Sequence, residues 1–172
     1  RNLFDFMRRL LVKRFESSFG AFSDSIDRFL RTHTMVKSFI KSSGKYVLDR
    51  KVIDSIYNES SEEADFTLKA IEKALEEFKK TAETKKSPKH TEIYEIDKFE
   101  FKEDFLAHID SDIKLFEKIQ KEIKQLNLIS HDPKCERVLN IVKDVLNKEN
   151  NPKRKVIIFT EYTDTVKHLK DY

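Results

Sequence analysis

Apolar side chains follow a helical pattern through the N-terminal part of the chain. From Leu3 they recur in steps of three and four, which places them on one stripe of a helix. No proline interrupts residues 2–43, and Gly44, a favourable C-cap residue, follows them. We predict one long helix over residues 2–43, with residues 17–20 as the one place where it bends. Other helices must pack along it to bury its stripe.

The middle of the chain shows further helical periodicity. It predicts a short helix over residues 48–57, a helix over residues 60–81 and a fourth over residues 102–128. Residues 85–98 are polar, contain Pro88 and alternate only briefly. We predict a mobile loop there, with a short strand as the alternative.

The C-terminal part changes character. Asp132 and Pro133 are typical N-cap and first-turn residues of a helix, which we predict to reach about residue 148, before a turn at residues 150–152. Residues 156–159 are four consecutive β-branched or aromatic residues, which favours a buried parallel strand. Residues 162–169 are helical again. A helix, a buried strand and a helix open an α/β lobe, so the predicted fold class is mainly α: a long-helix bundle followed by a truncated first α-β-α unit.

Composition supports long helices and a real core. The chain of 172 residues has 38% charged residues but only two Gly and three Pro, and its 14 Phe can anchor a core. With 34 basic and 31 acidic residues, the near balance of charge is weak support for a dedicated DNA-binding domain. The single Cys135 forms no intramolecular disulfide or thiolate zinc cluster, which fits a reducing, cytoplasmic setting. No apolar run is long enough to cross a membrane, so no membrane partner is expected.

Two sequence blocks resemble a known family. DPK (132–134), a helix, a polar turn and KVIIFTEYTDT (155–165) resemble the start of the second RecA-like lobe of Swi/Snf-like ATPases, in helicase superfamily two. In that family the first strand of the lobe ends in helicase motif IV. The segment RRLLVKRFESS (8–18), with its basic pair before Glu-Ser-Ser, resembles the segment after the first lobe in bacterial members. The order of the blocks, with helices between them, also suits the family.

The resemblance implies a domain organisation and a function. Residues 1–130 would be the helical inter-lobe (brace or insertion) region, and residues 131–172 the N-terminal part of the second RecA-like lobe, truncated. We expect a fragment of an ATP-dependent helicase or DNA translocase that couples the two motor lobes and contributes motif IV. Through the parent protein, its partners would be double-stranded DNA or another nucleic acid and the remaining lobe segments. Residues 44–128 resemble nothing beyond a helical spacer.

The motifs for ATP hydrolysis are missing from this sequence. No GxxxxGK[ST] phosphate loop occurs, since SSGK (42–45) lacks the first glycine and the following hydroxyl. No Asp-Glu pair follows a buried strand to hold magnesium, and the family's arginine finger lies late in the second lobe. ATP and magnesium are therefore expected for the parent only. For this chain we expect no catalytic, cofactor-binding or metal-binding residues, and no ATP hydrolysis with or without DNA.

Two groups of residues are candidates for contact with nucleic acid or between the lobes. By the resemblance, the loop that follows the motif IV strand offers hydroxyls that bond phosphates, and the helix after it presents free N–H groups. This group is Thr160, Glu161, Tyr162 and Thr163. The second group is basic and lies on about one helical turn: Arg9, Lys13 and Arg14.

Each group also has a purely structural interpretation. Thr163 or Asp164 would merely cap the last helix, and the basic residues would form a solvated face with Glu16 and Asp5 as partners. The five histidines suggest no catalytic set. His131 and Cys135 alone have a ligand-like spacing, and two ligands do not make a zinc site.

A second hypothesis is a non-enzymatic helical scaffold or protein-interaction domain with charged helices as its partner surface. The apolar segment at residues 156–159 argues against it, because a freestanding scaffold has no need of a buried strand. Without its sheet, that strand is expected to pair with a neighbouring copy to form a dimer, to pack alone on the helices or to be poorly ordered.

Overall fold

The structure is a computed structural model that describes residues 2–49, 73, 91–148 and 154–172. Within these ranges the chain is mainly helical, with one small antiparallel sheet. The helices are α1 (Asn2–Ser17), α2 (Phe19–Ser43), α3 (Lys102–Gln125), α4 (Pro133–Asn147) and α5 (Thr163–Asp171); the strands are β1 (Lys45–Asp49) and β2 (Thr91–Glu95). Among the described helices, none combines the length and the hydropathy that crossing a bilayer demands.

The predicted single N-terminal helix is two helices, broken at Ser18. Ser18 has an extended backbone (φ −157°, ψ 156°), and its hydroxyl accepts a hydrogen bond from the Ala21 amide, as the N-cap of α2. The prediction of one helix was wrong at this residue, which lies within the segment where we predicted a bend. A serine side chain competes with the backbone for hydrogen bonds, and the spacing of apolar residues does not report such a cap. The predicted C-cap at Gly44 is confirmed, with φ 65°.

Helix α2 forms the centre of the packing. It contacts α1, α3, α5 and β1, which confirms that other helices bury its apolar stripe. Phe29 of α2 is fully buried and stacks on Phe116 of α3 with 5.5 Å between ring centroids. Leu10 of α1 and Ile26 of α2 complete this cluster. Helix α3 follows the prediction closely and ends at Gln125.

A two-stranded antiparallel sheet lies where the sequence predicted the start of a helix and a loop. Strands β1 and β2 pair antiparallel, with Val47 opposite Ile93, and a 3-10 turn (Ile96–Lys98) follows β2. The prediction of a helix over residues 48–57 was wrong at its first two residues, which lie in β1, and its remainder is outside the described residues. The loop predicted over residues 85–98 contains β2, so the alternative of a short strand is the correct one. The helix predicted over residues 60–81 lies outside the described residues, except for Lys73, which is helical.

The C-terminal part keeps its two predicted helices and lacks the predicted strand. Helix α4 begins at the Asp132 cap and α5 covers Thr163–Asp171, as predicted within two residues. The turn predicted at residues 150–152 is outside the described residues. Residues 154–160 form neither helix nor strand. A parallel strand requires a neighbouring strand, and among the described residues only β1 and β2 form a sheet. The part of the chain that the structure describes therefore contains no RecA-like lobe.

Candidate functional site

The break between α1 and α2 faces the start of α5. The Ser17 hydroxyl lies 2.7 Å from the Thr165 hydroxyl, and the Ser18 hydroxyl lies 3.2 Å from the same oxygen. Ser18 and Thr165 are both buried. These contacts begin a set of polar interactions between the α1–α2 break and the first turns of α4 and α5. We call it the junction cluster: Arg14, Ser17, Ser18, Asp132, Asp164, Thr165 and His168.

Asp132 ties three helices together with one carboxylate. Its Oδ1 accepts hydrogen bonds from the amides of Lys134 (2.9 Å) and Cys135 (3.4 Å), which caps α4. Its Oδ2 accepts from the Phe19 amide at the start of α2 (3.0 Å) and lies 3.1 Å from Nε2 of His168 in α5. The side chain is 0% exposed. Burial disfavours a charged carboxylate, and hydrogen bonds from four N–H groups offset that cost.

These bonds decide the ionisation of Asp132. Burial raises the pKa of a carboxyl group, but the amides of Phe19, Lys134 and Cys135 and the side chain of His168 stabilise the carboxylate. The net result is a pKa below the ordinary value of 3.8. The carboxylate thus stabilises the fold fully above the pKa of the unfolded chain, and this stabilisation is lost as pH falls through the lower pKa of the folded state.

We therefore expect the free energy of unfolding to fall when the pH is lowered from about 5 towards 2. Urea denaturation midpoints at pH 5, 4 and 3 measure this dependence. Because other carboxyl groups titrate in the same range, the comparison is with Asp132→Asn, whose midpoint should fall less steeply. Parallel curves for the two proteins would contradict the role given to Asp132.

Arg14 is a buried cation that joins α1 to α5. It is 3% exposed, its Nη1 donates a hydrogen bond to Asp164 Oδ2 at 2.6 Å, and its guanidinium lies 4.3 Å from the ring centroid of Tyr162. Arg28 of α2 approaches the same Asp164 oxygen at 3.5 Å. Ion pairs therefore contribute to the contact of α1 and α2 with α5, and the Arg14–Asp164 pair is largely desolvated, unlike a surface salt bridge.

A close approach at Gly20 completes the site. A Cβ at Gly20 would lie 2.6 Å from Nδ1 and 2.7 Å from Cβ of His168, distances that real side chains do not adopt. The absence of a side chain at Gly20 lets the imidazole reach Asp132. Nearby, the Lys134 ammonium lies 4.6 Å from the ring centroids of both Phe15 and Phe19 and donates to the Phe15 carbonyl.

The seven predicted contact residues have two kinds of environment. Arg9, Lys13, Glu161 and Thr163 are exposed, and Thr160 is half-buried. Arg14 and Tyr162 are buried against each other, so in this conformation they do not face a nucleic acid. The structure brings Arg14 together with Tyr162, and it places Arg9 and Lys13 on the exposed part of α1.

The simple capping interpretation of α5 does not describe its N-terminus. The N-cap is Tyr162, which makes no side-chain capping bond. Asp164 is engaged by Arg14 and Arg28, and Thr163 is exposed at the first helical position. The nearest substitute for a cap is Thr160, whose hydroxyl accepts from the Tyr162 amide at 3.4 Å. Asp164 also forms an ion pair with Arg14, a partner that the sequence did not predict.

Asp132, Cys135 and His168 place three metal-ligand types within 4.8 Å of one another. Both oxygens of Asp132 already accept N–H groups, and burial together with the Asp132 charge raises the pKa of Cys135 to about 11. A protonated thiol and a saturated carboxylate fit a structural network better than a metal centre. His131, which the sequence paired with Cys135, instead lies 2.8 Å from Nδ2 of Asn127.

Sequence reasoning found Asp132 as a cap but missed its long-range bonds. The roles of Ser18, Thr165 and His168 were also missed. One signal was present, because Ser18 and Thr165 both lie in the blocks that carry the family resemblance. No protein-family model, curated protein or solved structure matches this chain. The fold and site thus define a mainly helical protein whose N-terminal helices hold the first turns of its last two helices.

Proposed function

We propose that this chain is part of a Swi/Snf-like, DNA-dependent ATPase of the bacterial type. It would supply the helical section between the two motor lobes and the opening of the second lobe, including motif IV. The observation that carries the proposal is the junction cluster, because it joins the two sequence blocks that resemble the family.

The contacts between the blocks are specific, and they are buried or partly buried. Arg14, Ser17 and Ser18 belong to the first block, and each bonds a residue of the second block: Asp164 at 2.6 Å, or Thr165 at 2.7 and 3.2 Å. A contact at Asp132 adds the amide of Phe19. Two segments more than a hundred positions apart in sequence thus form one packed unit.

The proposed role is that of a brace. In motors of this class ATP binding closes the cleft between the lobes, and closure moves the protein along the strand. Packed side chains and polar networks with defined geometry can carry motion between lobes. Through Arg14 and Asp132, a displacement of α5 would be transmitted to α1 and α2. The brace itself needs no ATP, which agrees with the missing phosphate loop.

Contact with nucleic acid would use the exposed members of the candidate groups. Lys13 and Arg9 lie one turn apart on α1. Thr163 begins α5, whose first amides are not capped by a side chain. Ammonium, guanidinium and free N–H groups all bind phosphate oxygens, which gives affinity without sequence preference.

Binding to duplex DNA tests this part of the proposal. With fluorescein-labelled duplex, the slope of log K against log salt concentration should become shallower by about 0.9 for Lys13→Ala, if Lys13 contacts one phosphate. Arg9→Ala should have a similar effect. Lys118→Ala, an exposed lysine of α3, is the matched control and should leave the slope unchanged. Equal slopes for all four proteins would favour a solvated basic face.

The coding sequence on either side of this chain tests the motor assignment itself. We expect a phosphate loop and an Asp-Glu motif upstream, and an arginine motif downstream. If the complete reading frame encodes none of these, the motor proposal is wrong and the helical scaffold becomes the better hypothesis. The junction cluster would then only hold the helices of that scaffold together.

A further inference from the structure

Residues 155–161 present an exposed apolar segment flanked by opposite charges. Ile157 is 76% exposed and Phe159 is 90% exposed, the two highest values among the large apolar side chains that the structure describes. Val156 and Ile158 are also exposed. Lys155 precedes these four residues, and Glu161 follows them after Thr160. Exposing so much apolar surface in one segment is unfavourable in water and indicates a surface that binds protein.

In the part of the chain that the structure describes, no other strand occupies the backbone of this segment. Within the described ranges, residues 155–160 make no backbone–backbone hydrogen bond. The start of the segment is held to the end of α4, because Arg154 Nη1 donates to the Val145 carbonyl at 2.9 Å. A run of β-branched and aromatic residues whose amides make no backbone pairing among the described residues has the properties of an edge strand, which recruits another strand.

The sequence of the segment is self-complementary in one antiparallel register. When two copies pair about a twofold axis at Ile158, Ile157 of each copy lies opposite Phe159 of the other. The interface therefore contains two such pairs. An aromatic residue opposite a β-branched one is a favourable cross-strand pair. The same register places Lys155 opposite Glu161 at both ends, on the same face of the sheet, because side chains alternate along a strand.

Other arrangements lose this match. A parallel pair in register would place Lys155 against Lys155 and Glu161 against Glu161, which is unfavourable. A one-residue slip of the antiparallel pair would separate Ile157 from Phe159 and move every side chain to the other face. The charges therefore select the direction of pairing, and the apolar pairs select its register.

We propose that two copies of this chain associate through antiparallel pairing of residues 155–161, centred on Ile158. The association is isologous, so the same residues contribute from both copies and the contact closes at two subunits. It uses only the exposure, the backbone and the charges of this segment, and it is an alternative to the motor assignment there: a strand inside the sheet of a complete second lobe has both edges covered and cannot pair with a second copy.

Charge reversal tests the pairing. Lys155→Glu places two Glu pairs across the interface, and Glu161→Lys places two Lys pairs there, so each variant alone should dimerise about tenfold more weakly than the wild type. An equimolar mixture of the two variants should regain the wild-type dissociation constant as a heterodimer, because one copy is now acidic at both ends and the other basic. Analytical ultracentrifugation at low salt measures all four samples, and circular dichroism confirms that the variants fold.

Cysteine cross-linking tests the register. Ile158→Cys places a thiol opposite itself on the twofold axis, so mild oxidation should give a disulfide-linked dimer. Ile157→Cys is the matched control and should cross-link at least tenfold more slowly, since it faces residue 159 of the other copy. The native Cys135 is buried and does not compete. A wild-type chain that stays monomeric at several hundred micromolar overturns the proposal, and so does equal cross-linking of the two variants.

Discussion

Replacing Asp132 with alanine should lower the free energy of unfolding by about 2–4 kcal/mol. The variant removes the cap of α4 and leaves the buried amide of Phe19 without an acceptor. It also releases His168 from its bond between α5 and the other two helices. Loss of a cap and loss of partners for buried donors each cost about 1–2 kcal/mol, and both occur at this one residue.

Urea denaturation followed by circular dichroism measures this change. Asp132→Asn should lie between alanine and wild type, because its one carbonyl oxygen still accepts hydrogen bonds while its amide group faces donors. Asp144→Ala, an exposed acidic residue of the same helix, should change stability by less than about 0.5 kcal/mol. If the two alanine variants are equally stable, Asp132 does not hold the three helices together.

Replacing Gly20 with alanine should destabilise the protein by about 1–3 kcal/mol. In a solvent-exposed helix the same change would stabilise by about 1 kcal/mol, because alanine favours the helix more than glycine does. The opposite sign is expected because the added methyl would overlap the ring of His168 and displace it from Asp132. This substitution therefore reports on the packing of α2 against α5.

A double-mutant cycle isolates that contact. His168→Ala removes the ring, so Gly20→Ala in this background should be neutral or stabilising by up to about 1 kcal/mol. The coupling energy between the two positions, which is the difference between these two effects, would then be about 1–4 kcal/mol. Ser38→Ala, at an exposed position of α2, is the control and should add independently to His168→Ala. Additive effects of Gly20→Ala and His168→Ala would show that the two residues do not meet.

The helices that were predicted well have strong local signals. Asp132 followed by Pro133 begins α4, and Gly44 with φ 65° ends α2, because a cap depends on residues within one turn. The break at Ser18 was not predicted as a helix end. Its hydroxyl caps α2 locally, but the extended conformation there is also supported by Thr165, which is remote in sequence.

The candidate site was predicted in part. Arg14 and Tyr162 were chosen as contact residues, and the structure shows that they contact each other in the interior. From sequence, a basic residue on a helix and a tyrosine in a loop both favour the surface. Only the tertiary structure provides Asp164 as a partner for the buried charge of Arg14. Residues 156–159 are a second case in which the local pattern was misleading. Their apolar run predicted a buried strand, and the structure leaves them exposed.

The sequence by itself determined which faces are apolar and where most helices begin and end, since periodicity, caps and breakers act over a few residues. The tertiary structure alone decided that the α1–α2 break meets the starts of α4 and α5, that β1 pairs with β2, and that residues 154–160 join no sheet among the described residues. Those outcomes depend on desolvation and hydrogen bonds between residues up to 150 positions apart, and no local pattern encodes which distant group will satisfy a buried polar atom.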